Sequence, residues 1–189
     1  MRVVRLTEDT RKDVLAQLLK RSPDNYQGFE ERVQEIVQNV KENGDAAVFG
    51  YTKQFDKVDI DASTVRVTKQ EIEEAYEHVD PELLSVIRKS LVNIRSYHEK
   101  QRRYSWFDST ESGTMLGQKI TPLATVGVYV PGGKAVYPSS VLMNIVPAKV
   151  AGVNRIIMTT PPGRDGKIPA STLVAAYEAG VDEVYKAGG

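Results

Sequence analysis

Residues 124–153 read ATVGVYVPGGKAVYPSSVLMNIVPAKVAGV, and this stretch contains the pattern that decides the fold. A valine-rich run over residues 126–130 is typical of a buried strand, and it stops at the glycine turn of residues 131–133. Apolar side chains then recur at helical spacing over residues 142–150. We expect Pro147, inside this helical pattern, to kink or shorten the helix. The stretch therefore predicts a strand, a glycine turn and a helix.

The same unit is repeated towards the end of the chain. Residues 155–160 indicate a second buried strand, residues 169–179 a second helix and residues 183–186 a third strand. Strands that alternate with helices form parallel sheets, whose ligands bind beyond the carboxyl ends of the strands. We therefore predict an α/β chain that contains a parallel βαβαβ unit.

Upstream of this unit the sequence is mainly helical. Five helices, a strand and a hairpin are predicted: helices from a cap at Thr7 to Leu19 and over residues 29–43, 45–55, 69–79 and 81–103, a strand at 64–68 and a hairpin at 104–120. The composition changes from charged to apolar and glycine-rich near Thr121. We therefore predict two domains, a mainly helical region with short strands at residues 1–120 and an α/β region at residues 121–189.

The longest predicted helix, over residues 81–103, has an apolar seam. Its members alternate at three- and four-residue steps along the helix: Leu84, Ile87, Leu91, Ile94 and His98. Such a seam is typical of a helix that packs against another helix. It predicts a contact either within the chain or between subunits.

The bulk composition argues against several classes of protein. Lysine plus arginine and aspartate plus glutamate both number 25 in 189 residues, so no basic excess favours nucleic acid. No apolar run is long enough to span a membrane, and the N-terminus lacks the apolar core of a signal peptide. The chain has no cysteine, which excludes disulfides and thiolate metal sites. We predict a cytoplasmic protein that binds neither nucleic acid nor membranes.

The glycine turn is the natural place for an anionic ligand. Glycines at the carboxyl end of a strand let a ligand approach the backbone, and the following helix directs free N–H groups at a phosphate. The phosphate-side candidates are Pro131, Gly132, Gly133, Ser139 and Ser140. The alternative is a tight turn that requires glycine only for a positive φ. Tyr129, just before the turn, is either a core side chain or a ring that stacks on a nucleotide base.

No residues form a recognisable acid–base or metal site. His78 and His98 lie in separate predicted helices without a second histidine at ligand spacing, whereas zinc needs three or four convergent ligands. The acidic residues Glu73, Glu74 and Glu77 fit a solvated helix face. The residues by themselves thus predict a βαβ ligand site, with no catalytic residue and no metal ligand in this chain.

Several segments of the sequence together resemble the histidinol dehydrogenase family. They are VGVYVPGG at residues 126–133, PSSVLMN at 138–144, Pro147-Ala148, VAGV at 150–153 and Pro161-Pro162. The similarity extends over most of the chain, since it includes Phe55-Asp56 and the Asn93 to His98 part of the long helix. The resemblance implies that residues 121–189 are the first part of an incomplete Rossmann-like NAD-binding domain.

The resemblance also implies an activity and a set of site residues. Members of the family are homodimeric, contain zinc and oxidise L-histidinol through L-histidinal to L-histidine with two NAD, at the end of histidine biosynthesis. By resemblance Tyr129 contacts NAD, and Pro131 and Pro161 line the adenosine side of the cofactor. Gly132 and Gly133 complete the expected cofactor-binding set. Ser139 is expected to lie close to the substrate.

The chain differs from the family in length. Family members are more than twice as long, and their zinc ligands, their acid–base pair of glutamate and histidine and their C-terminal histidine have no counterpart up to Gly189. We therefore expect the N-terminal portion of such an enzyme, truncated before its zinc ligands and catalytic residues and inactive or nearly so alone. The alternatives are a non-catalytic nucleotide-binding or dimerisation module and a dehydrogenase for another amino alcohol.

Overall fold

The computed structural model of the chain describes residues 5, 7–19, 27–132 and 136–188. The chain forms two compact units, residues 1–47 and residues 48–189. The helices of the described residues are α1 (Glu8–Leu19), α2 (Gln27–Asn43), α3 (Asp45–Phe55), α4 (Lys69–His78), α5 (Pro81–Glu99), α6 (Pro138–Val150) and α7 (Ala170–Ala179). Their strands are β1 (Trp106–Ser109), β2 (Met115–Gln118), β3 (Thr125–Tyr129), β4 (Arg155–Thr160) and β5 (Glu183–Lys186).

The second unit contains a three-stranded parallel sheet in the order β3–β4–β5. Val126 of β3 is in register with Ile156 of β4, and Met158 of β4 is in register with Val184 of β5. Parallel neighbours need a crossover connection, and α6 and α7 provide the two crossovers. The predicted α/β fold, with a parallel βαβαβ unit after a mainly helical region, is confirmed.

Helices α6 and α7 bury their apolar side chains together with the sheet. Ile145 of α6, Val174 of α7 and Ile156 of β4 are all 0% exposed and belong to one hydrophobic core. Burial of each such side chain contributes about 1.5–3 kcal/mol. Of the two effects expected of Pro147, shortening of the helix is wrong, because α6 continues through it to Val150; a kink stays a prediction. The burial of Ile145 and its neighbours outweighs the single helical hydrogen bond that a proline removes.

The apolar seam of α5 packs within the chain. Ile87 is 3% exposed, and Leu84, Leu91 and Ile94 pack against the core that contains α6 and α7. The seam therefore makes an intrachain contact, and this face of α5 is not available for dimerisation. No helix in the described ranges combines the length and the apolar composition needed to cross a membrane.

Side chains cap the N-termini of α4 and α5. The Glu71 N–H donates to Thr68 Oγ1 at 3.2 Å, and the Thr68 N–H donates to Glu71 Oε2 at 2.9 Å. Asp80 Oδ1 accepts a hydrogen bond from the Glu82 N–H at 2.7 Å. The capping box predicted at Thr68 is confirmed, and both helix starts are fixed by residues that the sequence identifies.

The prediction of a strand at residues 64–68 is wrong. The segment forms only an isolated antiparallel bridge to β5, because α4 begins directly afterwards and leaves no room for a longer ladder. The Val67 N–H donates to the Val184 carbonyl at 2.9 Å, and the Lys186 N–H donates to the Val65 carbonyl at 2.8 Å. These residues therefore cover the edge of β5 that a three-stranded sheet would otherwise leave unpaired.

The hairpin predicted at residues 104–120 is confirmed. Strands β1 and β2 pair antiparallel, with Phe107 opposite Gly117. Large apolar side chains on both faces of this ribbon are more than half exposed: Trp106, Phe107, Met115 and Leu116. A two-stranded ribbon is marginally stable by itself, so its apolar surface is a candidate for contact with another part of a larger protein.

The change in composition near Thr121 lies inside the second compact unit. Helices α4 and α5, upstream of this point, pack on α6 and α7, downstream of it. Side chains of residues 67–94 thus contribute to the same core as the parallel sheet. The division into domains at residues 1–120 and 121–189 stays a prediction.

Candidate functional site

The carboxyl ends of the three parallel strands meet at one edge of the sheet. Strand β3 ends at Tyr129, β4 at Thr160 and β5 at Lys186. In open α/β sheets, ligands bind in the crevice outside these ends. We call the residues that directly follow the three strands the carboxyl edge: residues 130–132, 161–163 and 187–188.

Gly132 lies directly against Pro161 across the carboxyl edge. A Cβ atom at Gly132 would lie 2.6 Å from Pro161 Cγ and 3.2 Å from the Pro161 carbonyl oxygen. Gly132 is not among the glycines with a positive φ, so the alternative of a turn that needs glycine for its φ is wrong at this position. The close approach of two chain segments requires glycine here. Gly133 lies outside the described residues.

The cofactor-binding residues predicted from the sequence lie together at this edge. Pro131 and Gly132 are exposed, and Pro161, which follows β4, lies against Gly132. Tyr129 is 46% exposed, so it is not a core side chain and its ring is accessible to a ligand. The arrangement suits a flat aromatic group held by Tyr129 and the prolines. That these residues bind a cofactor stays a prediction.

Helix α6 begins on the carboxyl side of the sheet because it follows β3 after a short connection. Its N-cap residue, Tyr137, makes no side-chain hydrogen bond to the helix, and the first turn has no acidic residue. Helices α4 and α5, in contrast, are capped by Thr68 and Asp80. Ser139 is exposed in the first turn of α6, and the Ser140 N–H donates to the Tyr137 carbonyl at 3.0 Å. This helix start favours an anion.

Asp56, directly after α3, also lies at the carboxyl edge. A Cβ atom at Gly188 would lie 3.1 Å from Asp56 Oδ2, 3.4 Å from Asp56 Oδ1 and 3.1 Å from Pro161 Cβ. Burial raises the pKa of the Asp56 carboxyl. No local sequence pattern marks this residue as part of a site, because it is distant in sequence from the ends of β4 and β5 that it lies against.

A buried ion pair supports the end of β5. Lys186 is 7% exposed, and its Nζ lies 2.5 Å from Glu71 Oε1. Burial acts to raise the pKa of Glu71, but hydrogen bonds from Lys186 and Thr68 outweigh it, and the pKa is lowered overall. Glu71 therefore joins the start of α4 to the last residue of β5. The sequence identifies Glu71 as a helix cap but gives no sign of its partner.

The described residues contain no group of three or more histidine, cysteine, aspartate or glutamate side chains that could hold a metal ion. His78 Nδ1 lies 2.7 Å from the Glu74 carbonyl oxygen, and His98 Nδ1 lies 2.7 Å from Gln101 Oε1. His78 lines an open groove of about 400 Å³ between α4 and the loop after β4. Lys167 pairs with Glu74 in this groove at 3.1 Å, so the two charges compensate each other.

Known proteins with similar sequences share one description. A family model for histidinol dehydrogenase matches residues 19–189. A histidinol dehydrogenase of Geobacillus kaustophilus (strain HTA426) is 54% identical over 157 residues, which are 83% of this chain and 37% of the relative. A histidinol dehydrogenase of Bacillus subtilis (strain 168) is 55% identical over 174 residues, which are 90% of this chain and 40% of the relative.

A solved structure is similar over the whole chain. The crystal structure of histidinol dehydrogenase from Elizabethkingia anophelis matches with a TM-score of 0.76 at 31% sequence identity, and the match covers 100% of this chain and 39% of that chain. The chain thus spans about 37–40% of the length of the curated relatives described above.

Proposed function

Since the chain belongs to the histidinol dehydrogenase family, we propose that it carries the NAD-binding portion of an enzyme that oxidises L-histidinol to L-histidine. The observation that supports this proposal most is the carboxyl edge, where Gly132 at the end of β3 touches Pro161 at the end of β4. Such a crevice outside parallel strands is where this class of fold binds a dinucleotide. In this proposal residues 121–189 are the first part of a Rossmann-like domain.

The residues of the carboxyl edge fit a dinucleotide. The exposed ring of Tyr129 and the apolar surfaces of Pro131 and Pro161 suit the flat and apolar parts of the cofactor. The start of α6, which lacks a side-chain cap, suits its phosphates. Bound NAD would accept the hydride that leaves the substrate in each of two oxidations. In this proposal the role of this chain is to hold and orient the cofactor.

Zinc does not fit the described residues, since they offer no convergent set of ligands. A general base must also lie within hydrogen-bond reach of the substrate hydroxyl. The hydrogen bonds of His78 and His98 in the described residues join them to Glu74 and Gln101, which lie outside the carboxyl edge. We infer that the zinc ligands and catalytic residues of the enzyme lie in the part of the longer relatives that this chain does not cover. By itself the chain should then be inactive.

The remaining proposals concern the whole enzyme. We propose L-histidinol as the substrate, which the names of the relatives support, and a homodimer in the cytoplasm as the working assembly. Ser139, exposed in the first turn of α6, is proposed to lie near the substrate. No part of the proposal involves nucleic acid or a membrane.

Titration of NADH fluorescence with the purified chain tests the cofactor site, and NADH absorbance with histidinol, NAD and zinc tests activity. We expect saturable binding without turnover. Gly132→Val should abolish binding, because its side chain would collide with Pro161. Gly50→Ala is the matched control, since a Cβ at Gly50 in α3 meets nothing within 4 Å. A wild-type chain that binds no NADH would contradict the proposal, and turnover would place catalytic residues within this chain.

A further inference from the structure

The chain reversal after α3 fixes the position of Asp56. Lys57 has a φ of 62°, in the left-handed region, and its Nζ donates to the Gln54 carbonyl at 2.7 Å. Val58 is 8% exposed, and its Cγ1 would lie 3.5 Å from a Cβ at Gly166, in the loop after β4. Because the chain on the C-terminal side of Asp56 is anchored, the carboxylate keeps its place at the carboxyl edge.

The Asp56 carboxylate lies between the ends of β4 and β5. Both of its oxygens are within 3.4 Å of the position that a Cβ would take at Gly188, and the ring of Pro161 is equally near that position at 3.1 Å. Pro161 in turn contacts Gly132. Asp56 is therefore a carboxylate that lies beside the surface proposed to hold the adenosine part of the cofactor.

Among the described residues, the Asp56 carboxylate lacks the hydrogen bonds that the other shifted carboxylates have. Hydrogen bonds that outweigh burial lower the pKa of six other described carboxyls: Asp61, Glu71, Glu74, Glu178, Asp182 and Glu183. Burial raises the pKa of Asp56, and no hydrogen bond or ion pair with a described residue opposes it. Partial burial of a carboxylate without a donor costs free energy, so this position suits a ligand that supplies donors.

The vicinal hydroxyls of a ribose are donors of the required kind. In dinucleotide-binding folds an acidic residue accepts hydrogen bonds from the adenosine ribose, and a cofactor with a 2′-phosphate is accommodated by a cation instead. We propose that Asp56 accepts hydrogen bonds from the adenosine ribose hydroxyls and disfavours NADP by repelling its 2′-phosphate. This inference rests on the proposed NAD site. It differs from the usual arrangement because the carboxylate comes from the turn after a helix upstream of the sheet.

The competing role for Asp56 is structural. Its carboxylate would then accept hydrogen bonds from backbone N–H groups of the chain that follows Gly188, as an N-cap residue does. The two roles differ in their consequences. A ribose contact affects the choice between NAD and NADP, whereas a cap affects the stability of the folded chain.

Asp56→Asn separates the two roles. Asp59→Asn is the matched control, because Asp59 is exposed and, among the described residues, it pairs only with Lys53, at 2.6 Å. NADH and NADPH fluorescence titrations and a thermal melt are measured on each variant. For Asp56→Asn we expect NADH binding to weaken about tenfold and the ratio of the NADPH to the NADH dissociation constant to fall about tenfold. The Tm should not fall, because the carboxylate has no hydrogen-bond or ion-pair partner among the described residues.

Each outcome decides between the proposals. An unchanged ratio of the two dissociation constants in Asp56→Asn overturns the role of Asp56, and the NAD site stands if the wild-type chain binds NADH. A lower Tm with an unchanged ratio identifies the structural role. A wild-type chain that binds no NADH overturns both the NAD site and the role of Asp56.

Discussion

At the scale of single residues, Glu71 shows how one side chain serves two elements. Its Oε2 accepts a hydrogen bond from the Thr68 N–H at the start of α4, and its Oε1 accepts one from Lys186 at the end of β5. Both carboxylate oxygens are therefore used, and the charge of the nearly buried Lys186 is compensated. A buried charge that loses its partner is strongly destabilising, so this pair fixes β5 directly beneath the carboxyl edge.

The Glu71 contacts predict a pH dependence of stability. The pKa of Glu71 is lowered from its ordinary value of 4.5 in the folded state, so its stabilisation is complete above that value and is lost as the pH falls through the folded pKa. We expect Glu71→Gln to lower the free energy of unfolding at neutral pH, by about 3 kcal/mol.

Urea denaturation at several pH values measures this effect. The difference in free energy of unfolding between wild type and Glu71→Gln should shrink as the pH falls below about 4.5, where Glu71 of the unfolded chain becomes protonated. Glu73→Gln is the control, since the exposed Glu73 lies on the same helix and Lys186 pairs with Glu71 instead. A difference that stays constant with pH would show that the charge of Glu71 contributes nothing.

At the scale of elements, a polar cluster joins three helices. Arg88 of α5 donates from Nε and Nη2 to Glu178 of α7 at 2.9 and 2.7 Å, and Tyr76 of α4 donates to the same carboxylate at 2.8 Å. The Arg88 hydrogen bonds hold the pKa of Glu178 below its usual range. Together with the apolar seam of α5, this cluster positions α4 and α5 against the α6–α7 layer.

The intrachain position of the α5 seam predicts a specific loss of stability. Ile87→Ala removes a side chain that is 3% exposed and should lower the free energy of unfolding by about 2–4 kcal/mol. The neighbouring Val86 is 53% exposed, and Val86→Ala should change stability by less than about 0.5 kcal/mol. Urea denaturation at two protein concentrations measures both. A loss that depends on protein concentration would instead assign the seam to a subunit contact.

At the scale of the whole molecule, the β1–β2 hairpin exposes four large apolar side chains. Alternation along the strands places Trp106 and Leu116 on one face of the ribbon and Phe107 and Met115 on the other. The edge of β5, in contrast, is covered by residues 65–67. Association of this chain is therefore expected to arise from the hairpin rather than from β5.

Self-association through the hairpin is measurable. Sedimentation velocity should show an apparent mass that rises with concentration, because exposed apolar patches favour contact with other chains. The double variant Trp106→Lys and Met115→Lys, with one change on each face, should suppress this rise. Glu111→Lys, in the exposed turn of the hairpin, is the control that adds positive charge without removing apolar surface. A wild-type mass that is independent of concentration would rule the idea out.

The sequence predicted those parts of the fold that local patterns specify. Strands β4 and β5 lie at the predicted residues because their apolar runs are short and are bounded by turn residues. The strand at residues 64–68 was mispredicted, because it forms only an isolated bridge. Alternation of side chains shows that a segment suits a strand, but it does not show whether the segment has room to pair with another strand over several residues. Pro147 did not shorten α6 because tertiary burial outweighed a local preference.

By itself the sequence determined the α/β class, the order of the elements and the capped helix starts, since each follows from neighbouring residues. Only the tertiary structure decided that Gly132 is required by contact with Pro161, that Lys186 pairs with Glu71 and that Asp56 lies at the carboxyl edge without a hydrogen-bond partner among the described residues. These features join residues far apart in the chain. Their physical cause is the packing of distant segments, which has no periodic signature in the sequence.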